Sequence, residues 1–204
     1  MKIISNLSYM YYILFVLSII YITMYSYVGA SYFSWVVLSF DDWPNEWTLL
    51  IGDLLKKKSL TWEFYFVGKK AIKNQEIVYK IHEMGHIVWN HTYSHKNLAS
   101  IWYKEALFEI LYGKKILEDI IWQKVNKFRP PYWSIDKKTR YYISKYWLDL
   151  EWSIDVWVLD SMDWYYMDSD KIKKRINGSK WYSKIVFHDS EWTYKFLCNI
   201  LNVK

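Results

Sequence analysis

Short apolar runs alternate with longer amphipathic stretches through this chain from residue 35 onward, and that alternation limits the fold more than any other feature. Trp35 to Phe40 (WVVLSF) reads as a buried strand. Leu49 to Lys58 reads as a helix with a Lys-rich end, and Glu63 to Val67 as a second strand stopped by Gly68. Lys69 to Met84 reads as a helix, and Tyr103 to Val125 as a long helical stretch. Ile87-Val88, Ile154 to Leu159 and Ile185 to Phe187 supply further short strands. Strands that alternate with helices imply parallel β/α units, hence an α/β fold. Such folds collect functional residues at the carboxyl ends of their strands. No internal repeat or low-complexity linker divides the 204 residues, which suffice for one domain with a sizeable core.

The amino-terminal end has a different character. Ile3 to Phe40 carries no charged side chain, and Met10 to Met24 is almost wholly apolar or aromatic. With its flanks this stretch approaches the ~20 residues that span a bilayer. Lys2 supplies a positive start, and Val28-Gly29-Ala30 resembles a small-residue cleavage site. The expectation is a signal peptide or uncleaved membrane anchor at 1–30, followed by an exported domain at 31–204. The net charge of +6 suits an anionic surface such as membrane, cell wall or nucleic acid, and equally a Lys-rich solvated face. Cys198 is the sole cysteine, so no intrachain disulfide forms and any metal must use His, Asp or Glu.

Five polar segments lie at or near predicted strand ends. The first is Ser39-Phe40-Asp41-Asp42-Trp43-Pro44. In an extended chain adjacent carboxylates point to opposite sides, which would let one bind a metal while the other acts as a base. In the second, Asn90-His91-Thr92-Tyr93-Ser94-His95, the two histidines are four apart and would share one face of a helical turn. That arrangement suits two imidazole ligands on one metal. His82 and His86 have the same spacing, and spacing does not choose between the pairs.

The third segment, Phe128-Arg129-Pro130-Pro131-Tyr132, is stiffened by two prolines. It could hold Arg129 against a carboxylate and aim the Tyr132 N–H at a developing oxyanion. Asp160-Ser161-Met162-Asp163-Trp164 follows, and then Ile185-Val186-Phe187-His188-Asp189, where His188 is placed to act as acid or base. All 3 prolines of the chain fall within these segments. Taken singly, each segment reads as an ordinary cap, loop or core residue set.

In order, the five segments resemble the polysaccharide deacetylase family, carbohydrate esterase family 4 or NodB-homology domain. Its members carry TFDDGP, H(S/T)xxH, RPPYG, a DSxDW-type segment and LxH before Asp. The resemblance runs from Val36 to Asp189. It implies a distorted (β/α) barrel, usually of seven strands, here preceded by the apolar signal or anchor segment, with a metal that is usually zinc. By matched position it makes Asp41 the general base and Asp42, His91 and His95 the metal ligands, which leaves His82 and His86 structural. Arg129 would orient Asp41, Tyr132 would give a backbone oxyanion donor, and Asp163 would tune His188 as general acid. Val186 replaces the family's Leu at the acetyl pocket, which implies a slightly larger pocket.

The implied activity is hydrolysis of N-acetyl groups from an amino-sugar polymer, peptidoglycan or chitin-like, outside the cytoplasm. The implied partner is polysaccharide, not nucleic acid. Two other readings are a non-catalytic carbohydrate-binding relative whose Trp and Tyr stack on sugars, and a same-fold hydrolase of a small amide. The intact Asp41, Asp42, His91, His95, Arg129 and His188 argue against the first. The exported location and the full motif set argue against the second.

The chain departs from the family in one systematic way. Its 24 Lys against 3 Arg, 4 Ala and 3 Pro indicate a gene biased towards A and T, which should deplete Trp. Yet there are 14 Trp and only 6 Gly, where ordinary usage gives roughly 14 Gly. Trp43, Trp89, Trp122, Trp133 and Trp147 stand where the family has glycine, whereas Trp157 and Trp164 match family tryptophans. The pattern fits a gene in which UGA encodes glycine at many of these positions.

Overall fold

In a computed structural model, the described residues are 37–42, 44–145, 149–150, 158–178 and 184–203. The seven strands expected of the resemblance are present and all pair in parallel: β1 (Val37–Asp42), β2 (Glu63–Phe66), β3 (Ile87–Asn90), β4 (Lys127–Phe128), β5 (Asp149–Leu150), β6 (Val158–Asp160) and β7 (Lys184–His188). Their order in the sheet is β5-β4-β3-β2-β1-β7-β6. β5 and β6 stand at its two ends, and residues 151–157 between them lie outside the described residues. So do Trp43 and Trp147, and the segment expected to be a signal or anchor. Among the described residues no helix is long and apolar enough to cross a membrane.

Strand register sorts the side chains. Phe40 lies beside Phe64 and Phe187, with ring centroids 5.0 and 6.1 Å apart. These rings, with Leu38, Phe66 and Ile185, are buried together on one face. Period-two alternation sends their neighbours Ser39, Asp41, Tyr65, Val186 and His188 to the other face. That second face carries the polar residues, so the sheet presents a dry side and a chemical side.

The helices begin and end where local chemistry dictates. α1 (Glu46–Lys57) starts three residues before the expected Leu49 because Asn45 caps it: its side chain accepts from the Trp47 and Thr48 N–H groups, and the Thr48 hydroxyl accepts from the Asn45 N–H. The single helix expected over 69–84 is instead α2 (Gly68–Ala71), a 3₁₀ turn (Ile72–Asn74) and α3 (Gln75–Glu83). Asn74 makes the break, with φ −132° and its side-chain amide donating to the Lys70 carbonyl. α4 (Tyr103–Ile121) stops short of Val125 because Trp122 turns to a left-handed φ of 57°. α5 (Lys137–Ser144), α6 (Asp163–Tyr166), α7 (Ser169–Gly178) and α8 (Glu191–Ile200) complete the helices of the described residues.

Candidate active site

A cavity of about 570 Å³ opens at the carboxyl ends of the strands. Its walls include Asp41, Asp42, His91, His95, Tyr132 and His188, six of the eight residues singled out in the sequence. The other two lie behind the wall: Arg129 contacts Asp41, and Asp163 contacts His188. Residues spread from 41 to 188 thus meet at one place.

Asp41 and Asp42 both face the cavity, contrary to the expectation for an extended pair. Asp42 has φ 88°. By register it belongs with Phe66 on the dry face, and the left-handed turn at this residue accompanies its exposure to the cavity. Its Oδ1 lies 3.6 Å from His91 Nε2 and 3.1 Å from His95 Nε2. The histidine pair also departs from expectation. The chain between them is not a helical turn, since Thr92 and His95 have φ 67° and 64°. A tight loop brings the rings to a centroid separation of 4.9 Å.

Ligand atoms of Asp42, His91 and His95 all lie within 4.8 Å of one another. Two ligands held at about 2.0–2.2 Å from a tetrahedral ion would themselves be roughly 3.4 Å apart, close to the Asp42–histidine distances. Asp42 Oδ1 is buried yet accepts no hydrogen bond, as suits an atom that a cation would satisfy. Charge fits as well. Asp42 is held well below the usual carboxylate range by His95 and His91, which outweigh its burial. Burial pushes His91 down to about 3, so it is neutral. Its Nδ1 lies 2.8 Å from the Arg129 carbonyl, where an N–H can donate, and that tautomer leaves the Nε2 lone pair for a metal. The residues present therefore fit a divalent cation. His82 and His86 line a different cavity. His86 is buried against the Gly52 carbonyl, with Nε2 2.8 Å from it.

Asp41 is almost buried and is paired to Arg129, which has no exposed surface. The Arg129 guanidinium also donates to Ser39 Oγ at 2.9 Å and sits 3.8 Å from the Tyr65 ring centroid. The sequence assigns no role to Ser39 or Tyr65, although period-two spacing from Asp41 and its neighbour strand would have found them. Tyr132 adopts φ 57°, and its N–H makes no hydrogen bond within the described residues.

His188 projects from the end of β7, with Nδ1 2.9 Å from Asp163 Oδ1. Asp163 is itself fixed. Its Oδ2 accepts from the His188 N–H at 2.9 Å and from Thr193 Oγ1 at 2.6 Å. Burial lowers the His188 pKa, but the Asp163 bond and charge, with Asp41 and Asp42 behind them, raise it on balance to about 9. The imidazole is therefore a cation at neutral pH. Val186 and Trp164 line the cavity beside it. The site brings together an acceptor carboxylate held by Arg129, a cation-sized cluster and a protonated imidazole, the parts that metal-assisted hydrolysis of an amide requires.

Comparison with known proteins agrees with this geometry. The family described as polysaccharide deacetylase matches residues 33–150. The chain is 30% identical over 168 residues to a peptidoglycan-N-acetylglucosamine deacetylase of Bacillus cereus, covering 81% of this chain and 59% of that protein. It is 33% identical over 103 residues to chitin deacetylase 1 of Cryptococcus neoformans, covering 50% of this chain and 22% of that one. The chain thus spans less than two thirds of both relatives. A crystal structure of a peptidoglycan N-acetylglucosamine deacetylase superposes with a TM-score of 0.75 at 29% identity, over 82% of this chain and 79% of that one. The ordered motifs, the parallel sheet and the family match agree: this chain belongs to the polysaccharide deacetylase family.

Proposed function

We propose that the chain hydrolyses N-acetyl groups of an amino-sugar polymer, releasing acetate and leaving free amines, with a divalent cation held by Asp42, His91 and His95. Zinc fits this donor set best, since two imidazoles and one carboxylate leave positions open for water and substrate. When bound, the cation would lower the pKa of a water and polarise the acetamide carbonyl. Asp41, oriented by Arg129, takes the proton from the attacking water. The Tyr132 N–H donates to the oxygen on which negative charge develops. His188, charged through Asp163, protonates the departing sugar amine. Val186 and Trp164 border the space for the acetyl methyl. The observation that carries this reading is the convergence of Asp42, His91 and His95 between the Asp41–Arg129 and His188–Asp163 pairs in one cavity.

The relatives' names point to peptidoglycan or chitin as the polymer, and the uncharged stretch from Ile3 to Phe40 supports export as a secreted or membrane-anchored enzyme. In this reading the sheet closes as a distorted barrel around the cavity. The test is acetate release from N-acetylglucosamine oligomers and from peptidoglycan in the presence of zinc. Release from either supports the proposal. Binding of both without release would overturn it in favour of a carbohydrate-binding relative.

A further inference from the structure

The loop that carries His91 and His95 is held from outside the site by an unusually close seat. Two residues of this loop are left-handed, a conformation that costs a side-chain-bearing residue about 1–3 kcal/mol unless its surroundings impose it. The surroundings are dense. Glu109 of α4 is buried, and its two carboxylate oxygens accept from the Ser94 N–H at 2.7 Å and the Ser94 hydroxyl at 2.6 Å. The Glu109 carbonyl accepts from the Tyr93 N–H at 2.8 Å. Asn90, also buried, accepts from the Thr92 N–H at 3.0 Å and donates to the Ile110 carbonyl at 2.9 Å. From the other side the first N–H groups of α2 reach the loop: Gly68 donates to Thr92 and Lys69 to Tyr93, at 2.9 and 2.7 Å.

Gly113, one turn beyond Glu109 on the same helix, permits this contact. A Cβ there would sit 2.6 Å from Asn90 Oδ1 and 2.7 Å from the Thr92 carbonyl carbon. Both are closer than nonbonded atoms tolerate, and one of them is backbone.

We propose that Glu109 and Gly113 are positioning residues for the metal centre: they preset the His91–His95 loop so that the two Nε2 atoms face Asp42 before any cation arrives. This rests on the reading of Asp42, His91 and His95 as metal ligands. Neither residue touches the cation; each acts through the loop. Outer partners of metal ligands typically alter affinity by about 10–100-fold when removed, and that is the loss expected for Glu109→Ala. Glu109→Gln keeps one acceptor oxygen and should lose less. Gly113→Ala should resemble Glu109→Ala.

The test is zinc affinity by competition with a chelating dye, on full-length protein shown by circular dichroism to be folded without metal. A seat that merely supported the fold would lower the melting temperature without changing the affinity of the folded protein. The expected order of affinity is wild type, Glu109→Gln, Glu109→Ala. If Gly113→Ala does not fold, the two Glu109 variants decide the matter alone. Wild-type binding with unchanged affinity in folded Glu109→Ala would overturn the seat but spare the metal site. Failure of the wild type to bind zinc would overturn both.

A different observation concerns two tryptophans. Trp122 ends α4 at φ 57°, ψ 28° with 89% of its surface exposed. Trp133 has φ 54°. Left-handed backbone at a helix end or tight turn is the usual place of glycine, although the Trp133 ring centroid does lie 5.1 Å from the Arg129 guanidinium carbon. Trp122 has almost no packing to offset the cost. Together with 14 Trp against 6 Gly, this geometry leads us to infer that positions 122 and 133 are glycine in the protein the cell makes, through UGA codons read as glycine. Mass spectrometry of peptides from the native source decides it. Peptides lighter by one Trp–Gly difference at each position are expected. Tryptophan masses at 122 and 133 would overturn the inference.

Discussion

Asp41 and His188 are each paired with a partner that sets charge or aim, so removing the residue and removing its partner should have different consequences. Asp41→Asn should leave zinc bound, because Asp42, His91 and His95 remain, yet abolish turnover. His188→Ala should lower kcat by roughly 10²–10⁴-fold, the range for a lost general acid. Acetate release by either variant at the wild-type rate would remove the role assigned to it. The pKa of His188 offers a sharper test. In metal-free protein it should titrate near 9 by NMR of the ring protons, and Asp163→Asn should bring it down. The sign for stability follows from the same shift. A folded-state pKa above the ordinary imidazole value of 6.5 stabilises the fold fully below that value, and this contribution is lost as pH rises through about 9. An unchanged His188 titration in Asp163→Asn would show that Asp163 does not hold the proton. At position 122, Trp→Gly should raise stability by about 1 kcal/mol, since it relieves left-handed strain without removing buried contacts. A lower unfolding midpoint in urea would contradict that.

Elements carry the site because their ends and faces are chemically distinct. The chemical face of the sheet extends below the cavity as a buried ionic group. Glu63 on β2 is paired to Lys184 on β7 and, at 3.3 Å, to Lys127 on β4, and it accepts from the Tyr65 hydroxyl at 3.1 Å. Tyr65 in turn lies under Arg129. Glu63→Ala would remove the carboxylate that pairs with the buried Lys184 and with Lys127 and should lower the unfolding midpoint in denaturant; an unchanged midpoint would mean that these pairs add nothing to stability. None of this group was legible in the sequence. An isolated Glu or Lys at a strand start looks like an ordinary surface residue, and only the sheet order, with β3 between β2 and β4 and β1 between β2 and β7, brings them together. Five of the seven strands were legible, because apolar runs such as WVVLSF and EFYFV carry their own signal, whereas β4 and β5, two residues each, have no such run. Helix boundaries were less so, since Asn45 and Asn74 act through side-chain hydrogen bonds that hydrophobic periodicity does not register. Asn45→Ala should weaken α1 by about 1 kcal/mol, read as a lower unfolding midpoint.

At the scale of the whole molecule, the order of motifs conveyed more than their spacing. The i, i+4 rule applied to His91 and His95 put the two histidines together for the wrong reason. They meet through a left-handed loop seated on α4, not through a helical turn, and the same rule could not exclude His82 and His86. The adjacent carboxylates likewise converge only because the backbone turns at Asp42. The candidate residues could be named from the sequence because their segments follow strands in the order of the family's motifs; the local geometry could not, because it depends on packing from α2 and α4. The account's central claim is that Asp42, His91 and His95 hold the cation on which Asp41 and His188 depend. Its most direct test is acetate release by metal-stripped protein titrated with zinc. The account predicts no release without metal, a rise that saturates at one zinc per chain, and no release at any zinc level from Asp41→Asn despite equal zinc binding. Stripped protein as active as the zinc-loaded form would contradict it.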